Sequence, residues 1–170
     1  MGDGVGFMSS SFGWWARLVE WAIVHVLLRL FPKRYRLIPR IDGQPLLRQF
    51  LVLRLGKFLE VYLHSFVNGE TDQWFHRHRW GHMFSMVLSG RFCEERFPGR
   101  LFWVHYAPSF YYMDQSTIHR LHWAGERTWS LFFGFGNGDS WGYYRRPTPE
   151  ALQYTPWQQM IPPEKRVRSL

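Results

Sequence analysis

The hydrophobic pattern changes period once along the chain. In "FGWWARLVEWAIVHVLLRLF", Phe12 to Phe31, apolar residues recur at helical spacing and place Trp15, Val19, Ala22, Ile23, Val26, Leu27 and Leu30 on one face. One of Ser9 to Ser11 supplies the N-terminal cap and Pro32 the stop. That face is expected to be buried. The other half mixes Arg17, Glu20, His25 and Arg29 with Trp14, Leu18, Trp21 and Leu28. It is suited to pack on the main domain, to meet a partner subunit in a homodimer, or to lie on an anionic membrane surface, to which the basic "PKRYR" (Pro32 to Arg36) would add. Its charges, and the lack of a small-residue cleavage site after it, argue against a membrane span or a secretory signal.

From Pro45 onward the period is that of strands. "LLRQFLVLRL" and "FLEVYLHSFV", separated by Gly56 and Lys57, read as a hairpin. Short runs follow: "HMFSMVLS", "RFCEERF", "LFWVHY", "SFYYM", "TIHRLHW", "TWSLFFGF" and "WGYY". Gly90, Pro98, Pro108, Asp114, Ala124 and Gly136 open the turn signals between them. Many short strands with even punctuation predict a mainly β sandwich or small barrel. The expected division is an N-terminal amphipathic helix and basic linker over 1–40, a β-barrel over 41–145 and an irregular basic tail over 146–170, in which "PEALQYTPWQQM" can hold a short helix.

Composition adds limits. A chain of 170 residues, 19% of them aromatic, has the apolar surface for one folded domain and is not disordered. Its net charge of +8 favours anionic partners, whether a small anionic molecule, nucleic acid or phospholipid headgroups. The single cysteine, Cys93, excludes an intramolecular disulfide framework and fits a reducing, cytoplasmic setting. No Gly-x-Ser-x-Gly elbow, Cys-x-x-Cys zinc pattern or Gly-rich phosphate loop is present, and "FGFGNG" (Phe133 to Gly138) lies between predicted strands as a turn.

The chemistry concentrates in "WFHRHRWGH", Trp74 to His82. On a strand, residues two apart share a face and stand about 7 Å apart, so His76 and His78 can reach one metal ion together. By the same parity His82 is either a further imidazole on that face or, where the chain bends at Trp80-Gly81, a histidine of the outer rim. Arg77, Arg79 and Arg120 would point away from the ion. His64 in "YLHSF" faces either the pocket or outward. Of Glu94 and Glu95 one can enter the barrel as a ligand or base, and His105 and His122 read as structural. Tyr111, Tyr112 and Phe110 read as core and wall. Eight histidines make one His-x-His pair an ordinary occurrence, so the pair needs context.

That context is a resemblance. Gly69, His76, His78 and Gly90 fall within one residue of the spacing of the first motif of the cupin superfamily, and "PSFYYMDQSTIH" (Pro108 to His119) keeps the spacing and terminal histidine of the second. Pro108, Asp114, Ser116 and Trp123 depart from that motif, and His82 and Met83 stand where a glutamate ligand is common. "VYLHSF", "HRHRW", "LSGRFCEERF" and "WGYY" are similar to phrases in small cupin-like proteins of phages and bacteria. The resemblance covers roughly 45–144 and implies a double-stranded β-helix, a jelly-roll barrel with a divalent metal at its mouth. His76, His78 and His119 would be the ligands, His82 an optional fourth, and His64 and Glu94 candidate supports around them. Fe(II) is favoured, with zinc, manganese or nickel as alternatives, because imidazole binds them all. A three-histidine site resembles that of cupin thiol dioxygenases, which implies a non-haem iron dioxygenase acting on a small anionic substrate. A non-catalytic cupin binding module and a basic interaction protein contacting nucleic acid, membrane or a phage or host partner are the alternatives.

Overall fold

The fold is described from a computed structural model, which covers residues 11–27, 29, 35–39, 44–67, 74–98, 101–125, 127–137, 141–148, 151–156 and 159. The helical period produces α1 (Ser11–Ala22), continued by a π-helical turn over Ile23–Leu27. Ile23 is buried, and Val19 and Ala22 are half-buried. Trp15 and Val26, expected on the same buried face, are exposed instead; among the described residues α1 rests mainly on β5, and one strand is too narrow to cover the whole stripe. The opposite side leaves Trp14, Arg17, Leu18 and Trp21 in solvent. No helix among the described residues is long and apolar enough to cross a membrane.

Twelve strands follow among the described residues: β1 (Tyr35–Pro39), β2 (Pro45–Leu55), β3 (Leu59–Phe66), β4 (Phe75–Arg77), β5 (His82–Ser89), β6 (Arg91–Arg96), β7 (Leu101–Tyr106), β8 (Ser109–Asp114), β9 (His119–Ala124), β10 (Trp129–Phe135), β11 (Gly142–Thr148) and β12 (Ala151–Pro156). They form two six-stranded sheets, β1-β2-β3-β10-β5-β8 and β12-β11-β4-β9-β6-β7, with every pairing antiparallel. The β2–β3 hairpin turns at Gly56, whose φ of 55° lies in the region open to glycine. Alternation is clean where one face meets the core: Met83, Ser85, Val87 and Ser89 of β5 and Ser130, Phe132 and Gly134 of β10 point inward. Two apolar clusters fill the interior, one around Leu46, Val87, Phe92 and Leu121, the other around Tyr62, Met83, Met113 and Phe132. Tyr111 packs against both.

The basic linker and the tail read as irregular both contribute strands. The linker contributes β1, which pairs with β2 through Tyr35↔Phe50, Arg36↔Gln49 and Leu37↔Arg48. The tail contributes β12, paired with β11, and Gln159, at the end of the segment expected to hold a short helix, is helical. The β11–β12 hairpin is held by ring contact between Tyr144 and Tyr154, 5.1 Å between centroids. The free edge of β11 decides this, since an unpaired row of backbone N–H and C=O groups is a template for a neighbouring strand whatever that segment's helix propensity. Phe110 and Tyr112, read as core or wall, lie on the outer face of β8, with Phe110 75% exposed; the inward positions of that strand are Tyr111 and Met113. The "EKRVR" cluster lies outside the described residues.

At Gly134 a Cβ would sit 2.6 Å from the ring of Trp80, which lies flat against the bare backbone. Gly134→Ala is therefore expected to lower stability by about 1–3 kcal/mol through overpacking, measured as the shift in urea unfolding with an unchanged m-value.

Candidate metal centre

The histidine motif does not lie on one strand. β4 lasts only from Phe75 to Arg77, pairing with β11 on one side and with β9 at His76↔His119 on the other. The chain then bends through Arg79, Trp80 and Gly81 and enters the opposite sheet as β5 at His82. The motif is thus a crossing between the sheets. Trp80 anchors it by stacking on Gly134 and by donating its indole N–H to Glu60 Oε2 at 3.0 Å.

This crossing brings His76 and His78 against His119 of β9, with one ring nitrogen from each lying within 4.8 Å of the others. His78 Nε2 and His119 Nε2 are 3.0 Å apart. Glu94 Oε2 accepts from His119 Nδ1 at 2.8 Å, so the proton sits on Nδ1 and the Nε2 lone pair faces the cluster. His76 Nδ1 is buried and unbonded. These features fit a divalent metal. Two nitrogens at about 2.1 Å from one ion, roughly at right angles, stand about 3 Å apart, and a carboxylate behind a histidine is the usual support of such a ligand. Burial, and then the neighbouring imidazoles, holds His76 and His78 well below the ordinary histidine pKa, keeping both neutral as metal ligands require.

Glu94 itself is 1% exposed. Burial would raise its pKa, but the closely placed His105, the bond from His119 and the charge of Arg96 outweigh that and keep it ionised. Arg96 Nε lies 2.5 Å and His105 Nε2 3.3 Å from Oε1. Its neighbour Glu95 points the other way and pairs with Arg120 at 2.6 Å. His105, read as structural, belongs to this support; only strand pairing reveals it, because β7 lies beside β6.

Other sites separate. His82 is exposed, with Nδ1 2.6 Å from the Tyr112 hydroxyl, and is not a fourth imidazole. Arg79 is about half in solvent and borders the cavity, and it pairs with an acid, its Nη2 lying 2.5 Å from Glu60 Oε2. His64 faces the cavity but touches none of the three histidines; it accepts from Gln49 Nε2 at 3.0 Å and stacks on Phe132. Burial and the charge of Arg36 lower its pKa to about 3. Gly69 of the first motif lies outside the described residues. In the second, Asp114 Oδ1 accepts from Ser116 N at 2.9 Å and Ser116 Oγ at 2.6 Å, building without glycine or proline the turn that leads to His119.

The cluster opens on a cavity of about 130 Å³. Its walls are mainly apolar, including Leu46, Phe66, Phe92, Met113, Leu121 and Phe132, with Arg36, Gln49, His64 and Arg79 as polar members. Sequence periodicity missed Arg36 and Glu60, the first because its segment lacked a strand signature, the second because a lone glutamate on a strand carries no sign of burial.

The sequence matches no protein-family model and no curated protein. Among solved structures the chain is similar to DMSP lyase DddQ from Ruegeria pomeroyi DSS-3, with a TM-score of 0.53 at 13% identity over 79% of this chain and 68% of that one. It is also similar to Fe(II)-HppE, with a TM-score of 0.51 at 12% identity over 62% of this chain and 58% of that one. A cupin superfamily protein from Desulfitobacterium hafniense aligns over 63% of this chain and 95% of its own, at 14% identity and a TM-score of 0.46. The chain has the cupin fold. The two sheets form the double-stranded β-helix, and the histidine cluster occupies the space between them.

Glu94→Gln removes the charge behind His119 while keeping its shape. Affinity for Zn(II) or Fe(II) is expected to fall roughly 10- to 100-fold, measured by competition with a chromophoric chelator. The neutral imidazole of His64 is protonated on unfolding, so the unfolded chain binds the additional proton between the ordinary histidine value of 6.5 and about 3. Stability should therefore fall as pH drops from 6.5 to 5 in chelator-treated protein. His64→Gln should make that slope shallower by roughly 1.4 kcal/mol per pH unit, read from urea titrations at each pH.

Proposed function

We propose that this cupin is a metal-dependent enzyme, most concretely a non-haem iron dioxygenase acting on a small anionic substrate. One observation carries the reading: the imidazoles of His76, His78 and His119 converge from β4, the crossing after it and β9, with no carboxylate in the ligand group. Such a ligand set leaves the full charge of a divalent ion in the cavity, and when bound that ion supplies Lewis acidity and open positions for an anion and for dioxygen.

The chain's own residues then have definable parts. His119, oriented by Glu94, and His78, held by the Trp80 crossing, would hold the ion together with His76. Leu46, Phe66, Phe92 and Phe132 keep bulk water from the cavity and strengthen electrostatic contacts inside it. His64 stays uncharged and does not compete as a cation for the substrate. Among the fold's other carriers, one solved structure is described as an Fe(II) protein and another as a DMSP lyase, so the scaffold serves more than one chemistry.

Elemental analysis of purified protein beside His76→Ala and His119→Ala is the direct test. Near-stoichiometric iron, nickel, manganese or zinc is expected in the wild type and in neither variant. Oxygen uptake by the Fe(II)-loaded protein with small thiols and carboxylic acids then tests the dioxygenase step. A folded wild type that stays empty after metal is supplied overturns the metal reading, and metal without oxygen uptake across that panel favours a binding module.

A further inference from the structure

The inner face of the first sheet carries a polar row that the metal reading leaves unused. Strand register sets Arg36 of β1 opposite Gln49 of β2, Gln49 opposite His64 of β3, and His64 opposite Ser130 of β10. Gln49, His64 and Ser130 are buried, and Gln49 and His64 bond each other. Arg36 terminates the row at the cavity wall, beside Ile38 and Leu47. Its Nε is fully shielded from solvent and bonded to nothing among the described residues.

An arginine in such a place calls for an anion. A buried guanidinium N–H without an acceptor is costly, and guanidinium matches a carboxylate with two parallel bonds. The acid whose charge acts on Arg36, Glu60, is already committed: Oε1 accepts from Arg54, and Oε2 from Arg79, Tyr62 and Trp80. His64 beside it is neutral and offers no counter-charge. Burial weakens the hold of Arg36 on its proton, and the residue as a whole is half-buried. The rest of the wall near it is apolar: Ile38, Leu46, Leu47 and Phe66.

We propose that Arg36 is the anion-binding residue of the cavity and that the ligand it selects is a small monocarboxylate with an apolar body, its acid group at Arg36 and its hydrocarbon part on the Leu46–Phe66 wall. This names the substrate class for the site proposed above and rests on that reading for its catalytic meaning. The binding claim itself does not require the metal. Arg36 is a specificity-determining residue; it belongs to neither the histidine cluster nor its Glu94 support.

The test is isothermal titration of the full chain with butanoate and hexanoate against butanamide and hexanamide. It is run on chelator-treated protein and again, without oxygen, on Fe(II)-loaded protein. In the wild type the acids should bind at least ten times tighter than the amides in both forms, and hexanoate tighter than butanoate. Arg36→Met should remove the preference for acid while leaving metal content and amide binding unchanged, and Arg36→Lys should keep the charge but lose much of the affinity.

Equal binding of acid and amide by the wild type overturns the proposal, as does undiminished acid binding by Arg36→Met or no acid binding at all. The wild-type comparison stands even if Arg36→Met fails to fold, as circular dichroism would show. Acid preference present only in the Fe(II)-loaded form assigns the anion to the metal and also overturns it. Acid preference in a chain that takes up no metal supports Arg36 while removing the enzymatic reading.

Discussion

A single buried charge organises the second sheet. Glu94 sits on β6 with its carboxylate removed from water, a state that is stable only when each oxygen has donors. Its partners come from its own strand and both neighbours: Arg96 of β6 and His119 of β9 donate to the two oxygens, and His105 of β7 lies 3.3 Å from Oε1. That requirement sets the proton on His119 Nδ1 and turns the other ring nitrogen to the interior. The orientation of one cluster member thus follows from the need to compensate a carboxylate that lies outside the histidine cluster.

The first sheet holds a counterpart. Glu60 of β3 gathers Arg54 from β2, its own strand's Tyr62, and Arg79 and Trp80 from the crossing that follows His78. Burial would raise its pKa, but the bond and charge of Arg79, joined by Tyr62 and Arg54, hold it below the usual value. The two carboxylates do parallel jobs on opposite walls, Glu94 behind His119 and Glu60 behind the bend that presents His78. Networks of this kind are rigid when every member is bonded, which suits a site that must hold three imidazoles at fixed spacing.

The cavity between them is uneven in a way that bears on ligand choice. Aromatic and aliphatic side chains cover most of it, the imidazoles lie at one wall, and the guanidinium groups of Arg36 and Arg79 lie among the rest. Arg79 is neutralised by Glu60, whereas Arg36 ends a row whose other members are uncharged. Low polarity strengthens any charge that is left without a partner. An anion with an apolar body meets both features of the space at once.

Periodicity carried much of this structure. The helical stripe through Ile23, the β2–β3 hairpin and the succession of short strands follow from spacing and from turn residues such as Gly56 and Gly90. The pair His76 and His78, and His119 through its resemblance to the second cupin motif, were legible as well, and the structure brings the three together. Parity could not carry past Trp80, because the register of a strand is reset wherever the chain bends. His82 went outward for that reason. The strand at Arg36, the tail strand β12 and the partners of Glu60 and Glu94 depend on edges and neighbours far along the chain. The sequence by itself determined which residues can carry chemistry and which face of a regular element they share. Only the tertiary structure decided which of them meet, because antiparallel pairing across loops of any length, and the demand of buried charges for donors, are not properties of local spacing.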